Sequence, residues 1–227
     1  MSFNDYFGLT LPFLGAMGGI LLARFFPLKK NIGLKLILSF SGAFLLGITV
    51  FELLPEIFSH EKKQIPVLVM GGILFQILLE FFSKGAEHGH YHPVGSNLFP
   101  LGLWISLCLH ALIEGMPLSS QAALTYGIVI HKIPIGIILY MMLDKTKISV
   151  KLKWGALLLF CLMTPLGNLL MGYTPYLAQF RLEITAWVVG MILHISTTIL
   201  FESTENHRFN FGKLSMILVA LVLAYFL

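Results

Sequence analysis

Charged residues are scarce in this sequence. Asp, Glu, Lys and Arg make up 11% of its 227 residues, against roughly 25% in soluble domains. It has two cysteines, too few for a disulfide-stapled scaffold. It contains neither a P-loop nor an HExxH motif, so ATP-driven pumping and a zincin-type site are not indicated. With 57% apolar residues and a mean hydropathy of +0.85, the chain is predicted to be a polytopic α-helical membrane protein.

Eight apolar segments are candidate membrane spans. A spanning helix needs about 20 apolar residues, and the eight segments approach or exceed that length. The predicted fold is therefore all-α, a single transmembrane domain with eight helices. An even number of spans returns the C-terminus to the side of the N-terminus. The segments are 8–26, 34–58, 66–83, 98–118, 122–143, 152–171, 184–202 and 212–227.

The distribution of Lys and Arg predicts the orientation. The odd-numbered connections hold eleven of the fifteen basic residues and the even-numbered ones hold three. Because basic loops stay in the cytoplasm, we expect the odd connections inside and both termini outside. The net charge of +4 is thus explained by topology and not by nucleic-acid binding. The eleven are Arg24, Lys29, Lys30, Lys35, Lys84, Lys145, Lys147, Lys151, Lys153, Arg208 and Lys213.

The third connection is rich in histidine. His88, His90 and His92 fall within five residues, on the predicted cytoplasmic side. Such a cluster could bind a soft divalent cation loosely. The alternative is a flexible polar loop without a metal.

Several ionisable residues lie inside the predicted spans. Such groups are costly in hydrocarbon and are the first candidates for a functional site. A lone histidine, such as His194, is more often explained by one hydrogen bond to another helix. The set comprises Glu52, Glu56, Glu80, His110, Glu114, His131, Lys132, His194 and Glu202.

His110 and Glu114 form the sharpest pattern. Their i,i+4 spacing places both on one face of the fourth span. Imidazole nitrogen and carboxylate oxygen are ordinary ligands of Zn²⁺. The segment 115–117, Gly-Met-Pro, is expected to loosen the helix, and broken helices at membrane depth are typical of transporter binding sites. The pair is therefore a candidate metal site.

The fifth span repeats this arrangement with His131, Pro134 and Gly136. Two short antiparallel helices that each carry a histidine near mid-membrane could close on one ion. The alternative is structural: each histidine makes one interhelical hydrogen bond, and Lys132 serves as the counter-charge of Glu114.

A second carboxylate would neutralise a bound dication, and Glu52 and Glu202 are the candidates. Either could instead lie solvated at the membrane edge. No cysteine falls within the His/Glu motifs. Nitrogen and oxygen ligands favour Zn²⁺, Fe²⁺, Mn²⁺, Co²⁺ or Cd²⁺ over Cu⁺.

These motifs, in this order, resemble the ZIP family of divalent-metal transporters over most of the chain. The fourth and fifth spans carry the most specific part of the likeness. The matching segments are 38–45 with 52–56, His110 with Glu114 and Gly115, His131 with Pro134 and Gly136, Pro165 with Gly167, and 196–203.

The resemblance implies a three-two-three arrangement of spans and alternating access to a central site. His110, Glu114 and His131 carry over as metal ligands. Many members hold a second metal, through side chains that are absent here. Their positions are Ala111, Lys132, Ile135 and Thr164 in this sequence. We therefore predict one metal, with Lys132 adding a fixed positive charge near the second position.

The predicted function is transport of a divalent transition metal, foremost Zn²⁺, into the cytoplasm by a carrier and not an enzyme. One rival is a membrane-embedded zinc hydrolase that uses the same ligands to activate water. Another is a metal-binding or sensor protein without flux. The metal ion and the lipid bilayer are the predicted partners, nucleic acid is not, and a homodimer is left open. The short connections suit a bacterial inner membrane.

Overall fold

The computed structural model describes residues 3–26, 32–83, 85, 99–202 and 211–227. Ten α-helices account for almost all of this described part. They are α1 (Phe3–Phe25), α2 (Ile32–Ile48), α3 (Leu54–Ser59), α4 (Ile65–Ser83), α5 (Leu101–Gly115), α6 (Ala122–Asp144), α7 (Val150–Tyr173), α8 (Pro175–Ala178), α9 (Arg181–Glu202) and α10 (Phe211–Tyr225). A π-helical segment, Thr49–Leu53, joins α2 to α3, and a 3₁₀ turn, Leu118–Ser120, precedes α6.

Within the described residues, seven helical segments are long and apolar enough to cross a membrane. The second of them, Gly33–Ser59, runs through α2, the π-helical segment and α3 without interruption. The eighth predicted span forms the shorter apolar helix α10. Large apolar side chains such as Phe81 and Phe201 are about three-quarters exposed on the outer surface, as lipid-facing residues would be. The prediction of an all-α fold is thus confirmed for the described residues, and seven of the eight predicted spans have the length and composition of membrane-spanning helices.

The long helices pack in two groups. In the first group, α1 packs against α6 and α7, and α7 packs against α5; α2, α4, α9 and α10 form the second group. Between the two groups, α2 lies against α6 and α4 lies against α5. Two buried apolar clusters correspond to this division, one centred on α1, α5, α6 and α7 and the other on α2, α4 and α9.

Helices α5 and α7 cross with their backbones in direct contact. A Cβ added at Gly115 would collide with the carbonyl oxygen of Thr164, and one added at Gly167 would collide with that of Leu112. Small residues permit this close approach because no side chain stands between the helices. The crossing lies beside Glu114, so it holds α7 against the end of α5.

We expect Gly167→Ala to destabilise this crossing. The added methyl group meets backbone, which cannot rotate away, and overpacking of this kind costs about 1–3 kcal/mol or more. Gly172→Ala on the same helix is the matched control, because nothing lies within 4 Å of a Cβ there. Thermal unfolding in detergent should show a lower Tm for Gly167→Ala alone. Equal Tm values for the two variants would contradict the tight crossing.

Residues from three predicted even-numbered connections meet at one end of the bundle. They line a cavity of about 370 Å³, with Glu56 and His60, then Gln121, then Gln179 among its walls. The Nε2 of Gln121 donates to both carboxylate oxygens of Glu56 at 2.7 Å. At least these three connections therefore share one end of the helices, as their alternating direction requires.

Candidate cation site

Four ionisable side chains meet in the interior of the first helix group. His110 and Glu114 come from α5, and His131 and Lys132 come from α6. Their exposed fractions are 4%, 0%, 1% and 2% in that order. We call these four residues the central cluster. Because α5 and α6 follow one another through a short turn, they run antiparallel and bring the two sequence motifs side by side.

Glu114 is the centre of the cluster. Its Oε1 forms an ion pair with Nζ of Lys132 and accepts a hydrogen bond from Thr164 Oγ1 at 3.3 Å. Its Oε2 lies 3.1 Å from Nε2 of His110. The two oxygens therefore face different partners. The ammonium of Lys132 also lies 4.9 Å from the ring centre of Phe160, a cation–π contact that supports it on its other side.

The end of α5 fixes where this carboxylate lies. The α-helix stops at Gly115, and the amide of Met116 donates to the carbonyl of Ile113 at 3.1 Å. The break predicted from Gly115 and Pro117 is thus present, one residue after Glu114. Pro134, by contrast, lies inside α6, which continues through it.

Each histidine of the cluster has its Nδ1 next to a polar side chain of the second helix group. Nδ1 of His110 lies 3.0 Å from Oε1 of Gln76 on α4. Nδ1 of His131 lies 3.3 Å from Oγ of Ser41 on α2. Both of these polar residues are completely buried. Neither residue was predicted to have a role, although an amide within the apolar run 65–83 is an unusual feature that points to Gln76.

One pair of atoms in the cluster has the spacing of metal ligands, which is also the spacing of a hydrogen bond. Ligand atoms that share a Zn²⁺ at about 2.0–2.2 Å lie roughly 2.9–3.4 Å apart, and His110 Nε2 and Glu114 Oε2 meet this condition. The His110 and His131 ring centres are 6.3 Å apart, whereas two rings on one tetrahedral ion would be about 5 Å apart. Within the described residues, no group of three or more His, Cys, Asp or Glu side chains is placed to hold a metal.

Glu52 does not join the central cluster. It lies on the π-helical segment with its side chain exposed. Glu202 ends α9, and its side chain is outside the described part of the chain. His88, His90 and His92 also fall outside the described residues. The predicted ligands that the structure brings together are therefore His110, Glu114 and His131.

The two remaining predicted intramembrane groups on α4 and α9 pair with each other. Nε2 of His194 lies 2.5 Å from Oε2 of Glu80, and both side chains are partly exposed. This is the interhelical contact expected of a lone histidine. It joins α4 to α9 within the second helix group, outside the central cluster.

The positions where the resemblance calls for second-metal ligands carry no such ligands here. Ala111 and Ile135 are buried and apolar, and Thr164 donates to Glu114. Lys132 places its ammonium against Glu114 Oε1 instead. No protein-family model matches the chain, and no curated protein matches it. The likeness to the family therefore rests on its motifs alone, and the ion-binding chemistry of this protein depends on the four residues of the central cluster.

Proposed function

We propose that this protein carries divalent transition-metal ions, foremost Zn²⁺, across the membrane into the cytoplasm through one site at the central cluster. The observation that carries the proposal is the arrangement around Glu114. Its Oε2 and His110 Nε2 are 3.1 Å apart, at ligand spacing, while Lys132 and Thr164 occupy Oε1. His131 would supply the third ligand after its ring moves closer to His110 and Glu114.

The charges of the cluster favour a carrier over a tight metal store. Glu114 and Lys132 together are neutral, and neutral histidines add nothing. A bound dication therefore leaves the buried site with two net positive charges, which is costly in a medium of low polarity. Binding that is only moderately favourable suits release on the far side of a membrane. The same fixed charge at Lys132 repels a second metal ion, which supports a single-ion site.

We propose that the metal ion crosses a protein with the predicted topology, which has eight spans in a three-two-three arrangement and both termini outside. In that topology the cavity of about 370 Å³ opens on the outer face, because even-numbered connections line it. Two carboxylates, Glu56 and Glu183, line it beside two cations, Lys62 and Arg181, and Lys62 pairs with Glu183 at 2.9 Å. The odd-numbered connections would then receive the metal in the cytoplasm.

Zinc uptake into proteoliposomes tests the proposal. Wild type should accumulate Zn²⁺, and His131→Ala should lower the rate at least tenfold because it removes a proposed ligand. Thr125→Ala is the matched control: Thr125 is buried on the same helix, and its hydroxyl donates to the carbonyl of Gln121 at 3.2 Å. The control should transport like wild type.

Three outcomes would contradict the proposal or its site. Wild-type protein that binds zinc without flux would indicate a metal-binding or sensor protein. Hydrolysis by the zinc-loaded protein without flux would favour the hydrolase. Uptake that survives His131→Ala would place the ligands elsewhere.

A further inference from the structure

Two buried polar residues outside the proposed ligand set face the ligand histidines. Gln76 and Ser41 come from α4 and α2, which belong to the second helix group, whereas the histidines belong to the first. Both polar residues are buried completely. A buried amide or hydroxyl in an apolar helix is unfavourable unless it forms a hydrogen bond. Each ligand histidine therefore faces one buried polar residue, and these two polar residues lie on different helices.

In both contacts the histidine atom is Nδ1. The distances are 3.0 Å to Gln76 Oε1 and 3.3 Å to Ser41 Oγ. With the Gln76 amide as it is placed, its carbonyl oxygen accepts and Nδ1 of His110 donates. The Ser41 hydroxyl can donate or accept, and it accepts from Nδ1 of His131 in the arrangement that we infer. A neutral imidazole that carries its proton on Nδ1 has its lone pair on Nε2. For His110, Nε2 is also the atom that faces Glu114 at ligand spacing.

We infer that Gln76 and Ser41 are positioning residues that hold His110 and His131 as Nδ1–H tautomers, so that Nε2 of each binds the metal. This inference rests on the proposed function. Hydrogen bonds of this kind fix the ring orientation of a metal ligand and raise its basicity, and their loss typically weakens metal affinity about 10- to 100-fold. Because each bond crosses between the two helix groups, the ligand geometry also depends on how the groups lie against each other.

Gln76→Met and Ser41→Ala test the inference through zinc affinity. Each variant removes the acceptor while keeping an uncharged, buried side chain. We expect the Kd for Zn²⁺ in detergent, and the KM for uptake, to rise at least tenfold with little change in maximal rate. Gln76→Glu keeps an acceptor oxygen at the same place and adds a negative charge, so it should bind zinc at least as tightly as wild type.

Matched controls separate positioning from packing. Ser106→Ala removes another hydrogen bond between α5 and α4, in which the Ser106 hydroxyl donates to the carbonyl of Leu79 at 2.6 Å. Ser196→Ala removes a fully buried hydroxyl that donates within its own helix, to Ile192. Both controls should bind zinc within about twofold of wild type. If Gln76→Met and Ser106→Ala weakened binding equally, Gln76 would be an interhelical contact only.

The tautomer can be measured without any metal. In protein labelled with ¹⁵N-histidine, the inference requires a protonated Nδ1 and an unprotonated Nε2 at both His110 and His131. An unprotonated Nδ1 at either residue in metal-free wild type would overturn it for that residue. This measurement keeps the two proposals distinguishable: a protein that binds no zinc refutes the proposed function, while the ¹⁵N spectrum still decides the tautomers.

Discussion

Glu114→Gln is expected to abolish zinc uptake and to destabilise the protein at the same time. The substitution keeps the size of the side chain but removes the only negative charge of the central cluster. It takes away the proposed ligand at Oε2, and it leaves the buried ammonium of Lys132 without its carboxylate. Removing one partner of a buried ion pair costs about 3–5 kcal/mol. Uptake should fall to the level of protein-free liposomes, and Tm in detergent should fall clearly.

A double variant separates the two effects. Glu114→Gln combined with Lys132→Met removes both charges, and replacing a buried ion pair by neutral groups is often close to neutral for stability. The double variant should therefore regain most of the lost Tm and still not transport zinc. Glu61→Gln, at an exposed carboxylate between α3 and α4, is the control for the single change and should alter neither zinc uptake nor Tm. Transport by the double variant would show that Glu114 is a structural partner of Lys132 and no ligand.

Lys132→Met is expected to tighten zinc binding while weakening the metal-free protein. Two unit charges about 4 Å apart interact by about 4 kcal/mol at an effective dielectric constant of 20. Removing the ammonium should therefore lower the Kd for Zn²⁺ at least tenfold. Without metal, the buried Glu114 carboxylate lacks its main counter-charge, so Tm should fall. Added zinc should raise the Tm of this variant more than that of wild type. Tighter binding should also slow release and reduce the maximal rate of uptake.

Lys153→Met provides the comparison for this prediction. Lys153 forms an ion pair with Asp144 at 2.6 Å, and the Asp144 side chain is half exposed. A solvated pair of this kind contributes about 0–1 kcal/mol, so neither stability nor zinc binding should change measurably. If Lys132→Met left the zinc affinity unchanged, the charge of Lys132 would not weaken zinc binding, and that charge could not be the cause of a moderate affinity.

The sequence alone predicted the helices well, for a simple physical reason. A backbone without water must satisfy its hydrogen bonds internally, so a long apolar run has little choice except a helix. The predicted segments 66–83 and 122–143 correspond closely to α4 and α6. The predicted helix boundaries were less accurate where the chain can leave the helix. The segment 98–118 became a helix that starts at Leu101 and stops at Gly115, followed by a 3₁₀ turn.

That His110 and Glu114 share a helix face could also be predicted, because residues four apart lie on one face whatever surrounds them. Glu52 shows the limit of that reasoning. Its place in an apolar run made it a candidate ligand, but the rotation of its helix leaves the side chain exposed. The rotation of a helix about its axis depends on packing against all its neighbours and cannot be predicted from a short motif.

From the sequence alone one could therefore predict a helical membrane protein with a His/Glu motif on one helix and a second histidine on the next. Lys132 as the partner of Glu114 was one of two alternatives there, and helix packing selects it. Packing also places Gln76 and Ser41 at the two Nδ1 atoms. Gln76 is 34 residues from His110, and Ser41 is 90 residues from His131. Contacts over such separations arise only when helices cross at particular depths and rotations, which packing of the whole bundle sets.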